Sequence, residues 1–136
     1  MIEKTTYAIS LRITHPDMDA SLFEGELGLA PEIFYTAGDP KLAGNGREIG
    51  GVRKESFWCH AYSIEEGDEL EASLDKLVMG LERKKDFLRR IVASGGRAEF
   101  FIGWFSFTNS GFVLKSRTLR HLADLDLDLS FDIYPS

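Results

Sequence analysis

Large apolar residues recur at every second position near both ends of the chain. Tyr7, Ile9, Leu11 and Ile13 follow this spacing in residues 7–14, and residues 127–134 repeat it. A period of two places the apolar side chains on one face of a β-strand. We therefore expect both segments to be strands with one buried face. Residues 32–36 predict a further, short strand.

The segment between residues 97 and 107 is rich in aromatic residues on both predicted faces. Such a strand is expected to lie in the centre of a sheet or to border another subunit. Turn-forming residues follow at 108–111, which predicts that residues 112–115 pair back as an antiparallel hairpin.

The clearest helical pattern covers residues 69–94, where leucines and other aliphatic residues form one apolar stripe. Gly95 and Gly96 end this pattern. Gly80 lies inside it and costs a helix roughly 1 kcal/mol relative to alanine, so we expect it to mark close packing on the sheet. Shorter helices are predicted at residues 18–27, closed by Gly28, and at residues 117–125.

Residues 36–51 contain five glycines and Pro40, which predicts a long loop. Loops of this length are usually functional or mobile. The stretch from Gly44 to Gly50 invites comparison with phosphate-binding loops, but its glycine spacing differs, no Lys-Ser or Lys-Thr follows, and a strand comes next instead of a helix. We therefore favour a flexible loop over a phosphate site.

The strand predicted at residues 56–63 carries the candidate site. One of its faces holds Trp58, His60 and Tyr62. Aromatic platforms with a polar member are common at ligand and protein interfaces, although aromatic strand residues also pack against helices, and both alternatives stay open. Arg47, on the glycine-rich loop, could bring a cation over this face, which would suit an anionic or planar ligand.

Composition narrows the class of protein. The chain has 136 residues, of which 43% are hydrophobic and 28% charged, as expected for a single globular domain over residues 1–136. Its formal net charge of -6 argues against a nucleic-acid partner. No signal-peptide pattern and no run of about 18 apolar residues is present, so no membrane association is predicted. A single cysteine, Cys59, excludes an internal disulfide and favours the cytoplasm.

Motifs for metal, cofactor or catalysis are not found. The acidic run from Asp124 to Asp132 lacks the glycine that a calcium loop requires at its sixth position. The three histidines have no ligand-spaced partner in sequence, and Cys59 and His60 point to opposite faces of their strand. The sequence predicts no metal, no cofactor and no catalytic residue, which leaves an enzyme unsupported without excluding one.

Several segments together resemble a bacterial family, domain of unknown function 4279. They are residues 27–31 (Leu-Gly-Leu-Ala-Pro), the glycine-rich loop, Phe57-Trp58, the long leucine-rich helix, and residues 129–134 (Leu-Ser-Phe-Asp-Ile-Tyr). The resemblance covers nearly the whole chain. It implies a small α+β domain that is often a complete protein, and it brings no known activity or catalytic residues.

These observations predict an α+β two-layer sandwich, with a largely antiparallel sheet of about six strands and three helices, the long one packed across the sheet. The leading functional hypothesis is a non-enzymatic module that binds a protein partner, with an immunity-like or regulatory role. The alternative is a small-molecule-binding protein or an unrecognised enzyme, with the loop over Trp58, His60, Tyr62 and Arg47. A homodimer is also possible, because the strand at 100–107 has apolar residues on both faces and lacks Lys or Pro guards.

Overall fold

A five-stranded mixed sheet organises the protein, which is described here by a computed structural model covering residues 6–65, 67–106 and 111–135. Its strand order is β2-β5-β1-β6-β7. Three of the four strand pairs are antiparallel, and β6 and β7 are parallel. The strands are β1 (Thr6–His15), β2 (Ile33–Tyr35), β5 (Ser56–Ala61), β6 (Arg97–Ser106) and β7 (Leu127–Pro135), while β3 (Pro40–Leu42) and β4 (Glu48–Val52) form a separate two-stranded sheet.

The helices follow the predicted pattern. They are α1 (Phe23–Leu27), which a 3-10 turn at 20–22 precedes, α2 (Leu70–Leu81), α3 (Lys85–Ala93) and α4 (Ser116–Asp124). A 3-10 turn at 82–84 joins α2 to α3, so residues 70–93 form the predicted long helical run. Gly28 and Gly95 adopt left-handed conformations with φ of 69° and 103° where α1 and α3 end, as a helix stop requires.

The hydrophobic core lies between the helices and one face of the main sheet, which we call the covered face. Its strand residues have the predicted spacing of two and pack against helical residues such as Phe23, Leu74 and Leu88. Complete burial of each such side chain contributes about 1.5–3 kcal/mol. The strand residues of this core cluster are Ile9, Leu11, Ile13, Trp58, Ala98, Phe100, Ile102 and Leu127.

The alternate residues of the same strands lie on the opposite face, which we call the open face. None of them belongs to the main core cluster, although Cys59 is buried. The fold is therefore an α+β sandwich of one helical layer on one sheet, as predicted.

Three local predictions were wrong. Residues 36–51 are not a structureless loop but hold β3 and most of β4, because glycines with positive φ, such as Gly46 (81°) and Gly50 (90°), allow the chain to turn and bend there. Residues 111–115 form no strand; they lead into α4, which makes β6-α4-β7 a parallel unit. A Cβ at Gly80 would contact nothing within 4 Å, so this glycine does not mark close packing.

Candidate interaction site on the open face of the sheet

The predicted aromatic residues of β5 lie on the covered face and at its margin. Trp58 is completely buried (0% exposed), and its ring stacks on that of His60 at 6.3 Å between centroids. Tyr62, just beyond the strand, meets His60 edge-on at 4.7 Å. The three rings do come together, and together they continue the hydrophobic core.

Polar groups of these rings differ in their partners. The Nδ1 atom of His60 lies 2.6 Å from the carbonyl oxygen of Ala30, to which it donates. The indole Nε1–H of Trp58 is buried and has no hydrogen-bond partner among the described residues. Burial raises the pKa of the Tyr62 hydroxyl far above its ordinary value of 10.0. Tyr62 therefore stays neutral at physiological pH.

Arg47 is separate from the three rings. It lies in the exposed turn of the β3-β4 hairpin, where its backbone N–H donates to Asn45 Oδ1 at 3.0 Å. Within the described residues, its guanidinium makes no hydrogen bond, ion pair or cation–π contact with Trp58, His60 or Tyr62. The structure thus brings together three of the four predicted site residues.

The open face carries a cation that the sequence analysis did not identify. Arg12 lies in the middle of β1, between Cys59 of β5 and Glu99 of β6. Its guanidinium carbon is 3.7 Å from the centre of the Phe101 ring, which is a close cation–π contact. Arg12 is partly buried, and its Nε atom is fully buried without a hydrogen-bond partner among the residues that the structure describes.

The nearest acidic groups are engaged elsewhere. Glu99, the cross-strand neighbour of Arg12, accepts a hydrogen bond from the hydroxyl of Ser130 instead of pairing with the guanidinium. Asp132 accepts a hydrogen bond from the hydroxyl of Tyr134, and this hydrogen bond is the main reason that the pKa of Tyr134 is raised. Arg12 consequently forms no ion pair within the described part of the chain.

A pair of aromatic rings lies on the same open face as Arg12. The rings of Phe105 and Tyr134 stack in parallel, with 4.7 Å between centroids and 8° between planes. Gly103 lies beneath them, and a Cβ at this position would be 3.4 Å from the Phe105 ring. The missing side chain lets the rings lie against the strand, while Phe105 keeps 37% of its surface exposed.

A second aromatic pair lies toward the other edge of the open face. Tyr35 and Phe57 are neighbours across β2 and β5, with ring centroids 5.6 Å apart. Arg53, at the base of the β3-β4 hairpin, places its guanidinium carbon 4.0 Å from the centre of the Tyr35 ring. The open face therefore combines aromatic rings, of which Phe105 and Tyr134 are exposed, with cations. It also carries the carboxylates of Glu99, Asp128 and Asp132, so its charge is mixed.

The described ranges 6–65, 67–106 and 111–135 contain neither a cluster of metal-ligating side chains nor a membrane-spanning helix. No group of three or more His, Cys, Asp or Glu side chains lies close enough to hold a metal ion there. No helix in these ranges has the length and apolarity needed to cross a membrane. Asp124, part of the acidic run, instead pairs with Lys85 at 2.6 Å and Arg89 at 2.9 Å.

The fold and site define a small α+β domain with a helix-covered face and an aromatic, arginine-bearing open face. A family model described as a domain of unknown function (DUF4279) matches residues 4–136, and the chain belongs to this family. No curated protein and no solved structure matches the chain.

Proposed function

We propose that the protein is a binding module whose partner is another protein, held on the open face with a carboxylate of the partner against Arg12. The observation that carries the proposal is the state of this guanidinium, which is partly buried, stacked on Phe101, and free of any ion pair in the described residues. Leaving a cation partly desolvated and unpaired costs stability. A partner carboxylate would recover that cost through a bidentate, charge-assisted contact.

The surroundings of Arg12 fit a protein surface better than a nucleic acid. Arginine and tyrosine are enriched among the residues that dominate protein interfaces, and the face that carries Arg12 also carries the exposed rings of Phe105 and Tyr134. Phosphate binding would require a surplus of cations, whereas Asp128 and Asp132 lie on the same face and the chain carries a net charge of -6. Mixed charge around a central cation favours a partner that itself carries both signs.

The proposal can be tested with three baits in a lysate of the source organism: the wild-type chain, Arg12→Met and Leu119→Ala. Leu119 is exposed on α4, away from the open face, and serves as the matched control. We expect at least one protein to be retained by the wild type and the Leu119 variant and lost with Arg12→Met. If the proteins retained are the same for all three baits, the proposal is wrong. If Arg12→Met instead loses bound RNA, the proposal that the partner is a protein is wrong.

The alternative, a small-molecule or catalytic site at Trp58, His60 and Tyr62 with Arg47, has one supporting observation. This is the unpaired Nε1–H of Trp58, which could donate to a bound acceptor. The complete burial of Trp58 and the distant role of Arg47 in its own turn weigh against it. In the variant Trp104→Phe, Trp58 is the remaining tryptophan, and its fluorescence can be followed while metabolites are added. A change in this fluorescence that Arg47→Ala abolishes would support the site. If none of the metabolites changes the fluorescence, the small-molecule alternative is wrong.

A further inference from the structure

The last strand of the chain is a long and unprotected edge of the main sheet. β7 has nine residues and ends the strand order, whereas β2 at the other edge has three. No backbone hydrogen bond outside the β6-β7 ladder involves residues 127–135 within the described chain. Among the described residues, the outer N–H and C=O groups of β7 therefore have no backbone partner, which leaves them for pairing with another strand.

β7 lacks two common protections of an edge strand, a bulge and lysine residues, although it carries the charges of Asp128 and Asp132. Its pairing with β6 runs in continuous register from Leu127 to Pro135, without a bulge. No lysine occurs in it, and proline occurs only at its last residue. Two of its apolar side chains are exposed: Phe131 keeps 36% of its surface in solvent and Ile133 keeps 64%. Such an edge favours the addition of a further strand.

We propose that two copies of this chain join through their β7 strands, antiparallel and in the sheet plane, with a two-fold axis at Phe131. This register places Phe131 opposite Phe131 of the second copy and Leu129 opposite Ile133. Side chains that face each other lie on the same face of the combined sheet, as a two-fold axis perpendicular to the sheet requires. The remaining opposed pairs are Ser130 with Asp132, Asp128 with Tyr134, and Leu127 with Pro135.

The acidic residues of β7 select this register over its neighbours. Moving the axis by one residue to Ser130 would place Asp128 opposite Asp132 on both sides of the axis. Moving it by one residue to Asp132 would bring the two Asp132 side chains face to face. Directly opposed like charges destabilise a strand pair. The register at Phe131 avoids both and pairs the full length of β7.

This pairing would give the dimer one continuous open face. A two-fold axis perpendicular to the sheet leaves both open faces on the same side, so the joined ten-stranded sheet would present Arg12 twice. The dimer does not depend on the proposed function, because the edge pairing uses none of the contacts of Arg12. If both hold, a partner with two binding segments would gain affinity through effective concentration.

Oligomeric state is the first test. Light scattering of the wild-type chain is expected to give twice the monomer mass, and Ile133→Lys is expected to give the monomer mass with an unchanged circular dichroism spectrum. Ile133 is mostly exposed, so lysine there protects the edge without disturbing the core. A wild-type chain that stays monomeric up to high concentration would overturn the proposal.

Cysteine cross-linking then tests the register. Phe131→Cys places a cysteine on the two-fold axis, where opposed Cα atoms are about 4.5–5.5 Å apart, within the range of a disulfide. Ile133→Cys faces Leu129 of the second copy and should not cross-link, although position 133 is the more exposed of the two. We expect mild oxidation to give a covalent dimer at least tenfold faster for Phe131→Cys. Equal rates, faster reaction at position 133, or no cross-link at position 131 would contradict the register.

Discussion

The guanidinium carbon of Arg12 lies 3.7 Å from the centre of the Phe101 ring, on the open face of the sheet. Arg12 contacts an aromatic ring and not a carboxylate, because the carboxylate of Glu99 accepts a hydrogen bond from Ser130 instead. We expect a cation held in this way to contribute little to folding and to remain accessible to the proposed partner. This relationship distinguishes Arg12 from Arg89 on α3, which pairs with Asp124.

Replacing Arg12 with methionine is expected to leave the free energy of unfolding unchanged or to raise it by up to about 1 kcal/mol. The thioether keeps an apolar contact with Phe101, while the unsatisfied Nε–H is removed. Urea denaturation measures this directly. A loss of more than about 1.5 kcal/mol would show that Arg12 serves the fold instead of a partner.

Gly96 and Gly80 provide a matched pair for packing. A Cβ at Gly96 would lie 2.7 Å from the carbonyl oxygen of Thr14 and 2.8 Å from Ile91 Cγ2, so Gly96→Ala is expected to lose about 2–3 kcal/mol. A Cβ at Gly80 meets open space on a helix, so Gly80→Ala is expected to gain up to about 1 kcal/mol. Thermal denaturation of both variants tests the pair. Similar effects of the two substitutions would contradict the packing described here.

His15 links the end of β1 to the end of α3. Its Nδ1 accepts the backbone N–H groups of Asp17 at 3.1 Å and Met18 at 2.9 Å, and its Nε2 lies 2.8 Å from Ser94 Oγ. Because Nδ1 accepts, the proton is on Nε2, which donates to Ser94. His15→Ala would remove a buried side chain and leave these part-buried N–H donors without their acceptor, so it is expected to lose about 2–4 kcal/mol.

Asparagine tests the role of His15 more sharply. Its Oδ1 can replace Nδ1 as the acceptor for the two backbone N–H groups, so His15→Asn is expected to recover part of the loss caused by His15→Ala. Chemical denaturation of the two variants gives the comparison. If His15→Asn is as unstable as His15→Ala, the acceptor role of Nδ1 is not what holds this turn.

The ion pairs of Asp124 predict a pH dependence. The hydrogen bond from Lys85 is the largest effect on this carboxyl and lowers its pKa. Desolvation opposes it, but the charges of Lys85, Arg89 and His121 add to the lowering, so the pKa lies below its ordinary value of 3.8. A carboxyl with a lowered pKa stabilises the folded state above its unfolded-state pKa, and that contribution is lost as the pH falls through the folded-state value. Between pH 7 and acid pH, the free energy of unfolding should therefore fall less for Asp124→Asn than for the wild type. Parallel decline of both chains below pH 3.8 would refute this assignment.

Much of the fold follows from the spacing of apolar residues. The alternation at residues 7–14 predicts β1 and its buried face, and the helical stripe at 69–94 predicts the run that ends at Gly95. The hairpin at 40–52 could not be predicted in the same way, because its side chains are mostly exposed and its strands show no buried face. In the sequence, its glycines cannot be distinguished from those of a loop, and their positive φ angles are seen only in the structure.

The open face was harder to predict for a different reason. Both faces of β5 and β6 carry apolar residues, and a period of two does not indicate which face the helices cover. The candidate site was predicted on the face of Trp58, which proves to be in the core, whereas Phe101 and Phe105 lie on the open face. The available signal was Arg12, a lone cation in the middle of a central strand.

Photo-cross-linking inside the source cells tests the central claim most directly. A benzoyl-phenylalanine replaces Phe105 on the open face or Leu119 on α4, which are exposed to similar degrees, 37% and 45%. We predict that irradiation joins a different protein to the chain from position 105 and not from position 119, and that Arg12→Met abolishes this adduct. The claim is contradicted if position 105 gives no protein adduct, or if both positions give the same one.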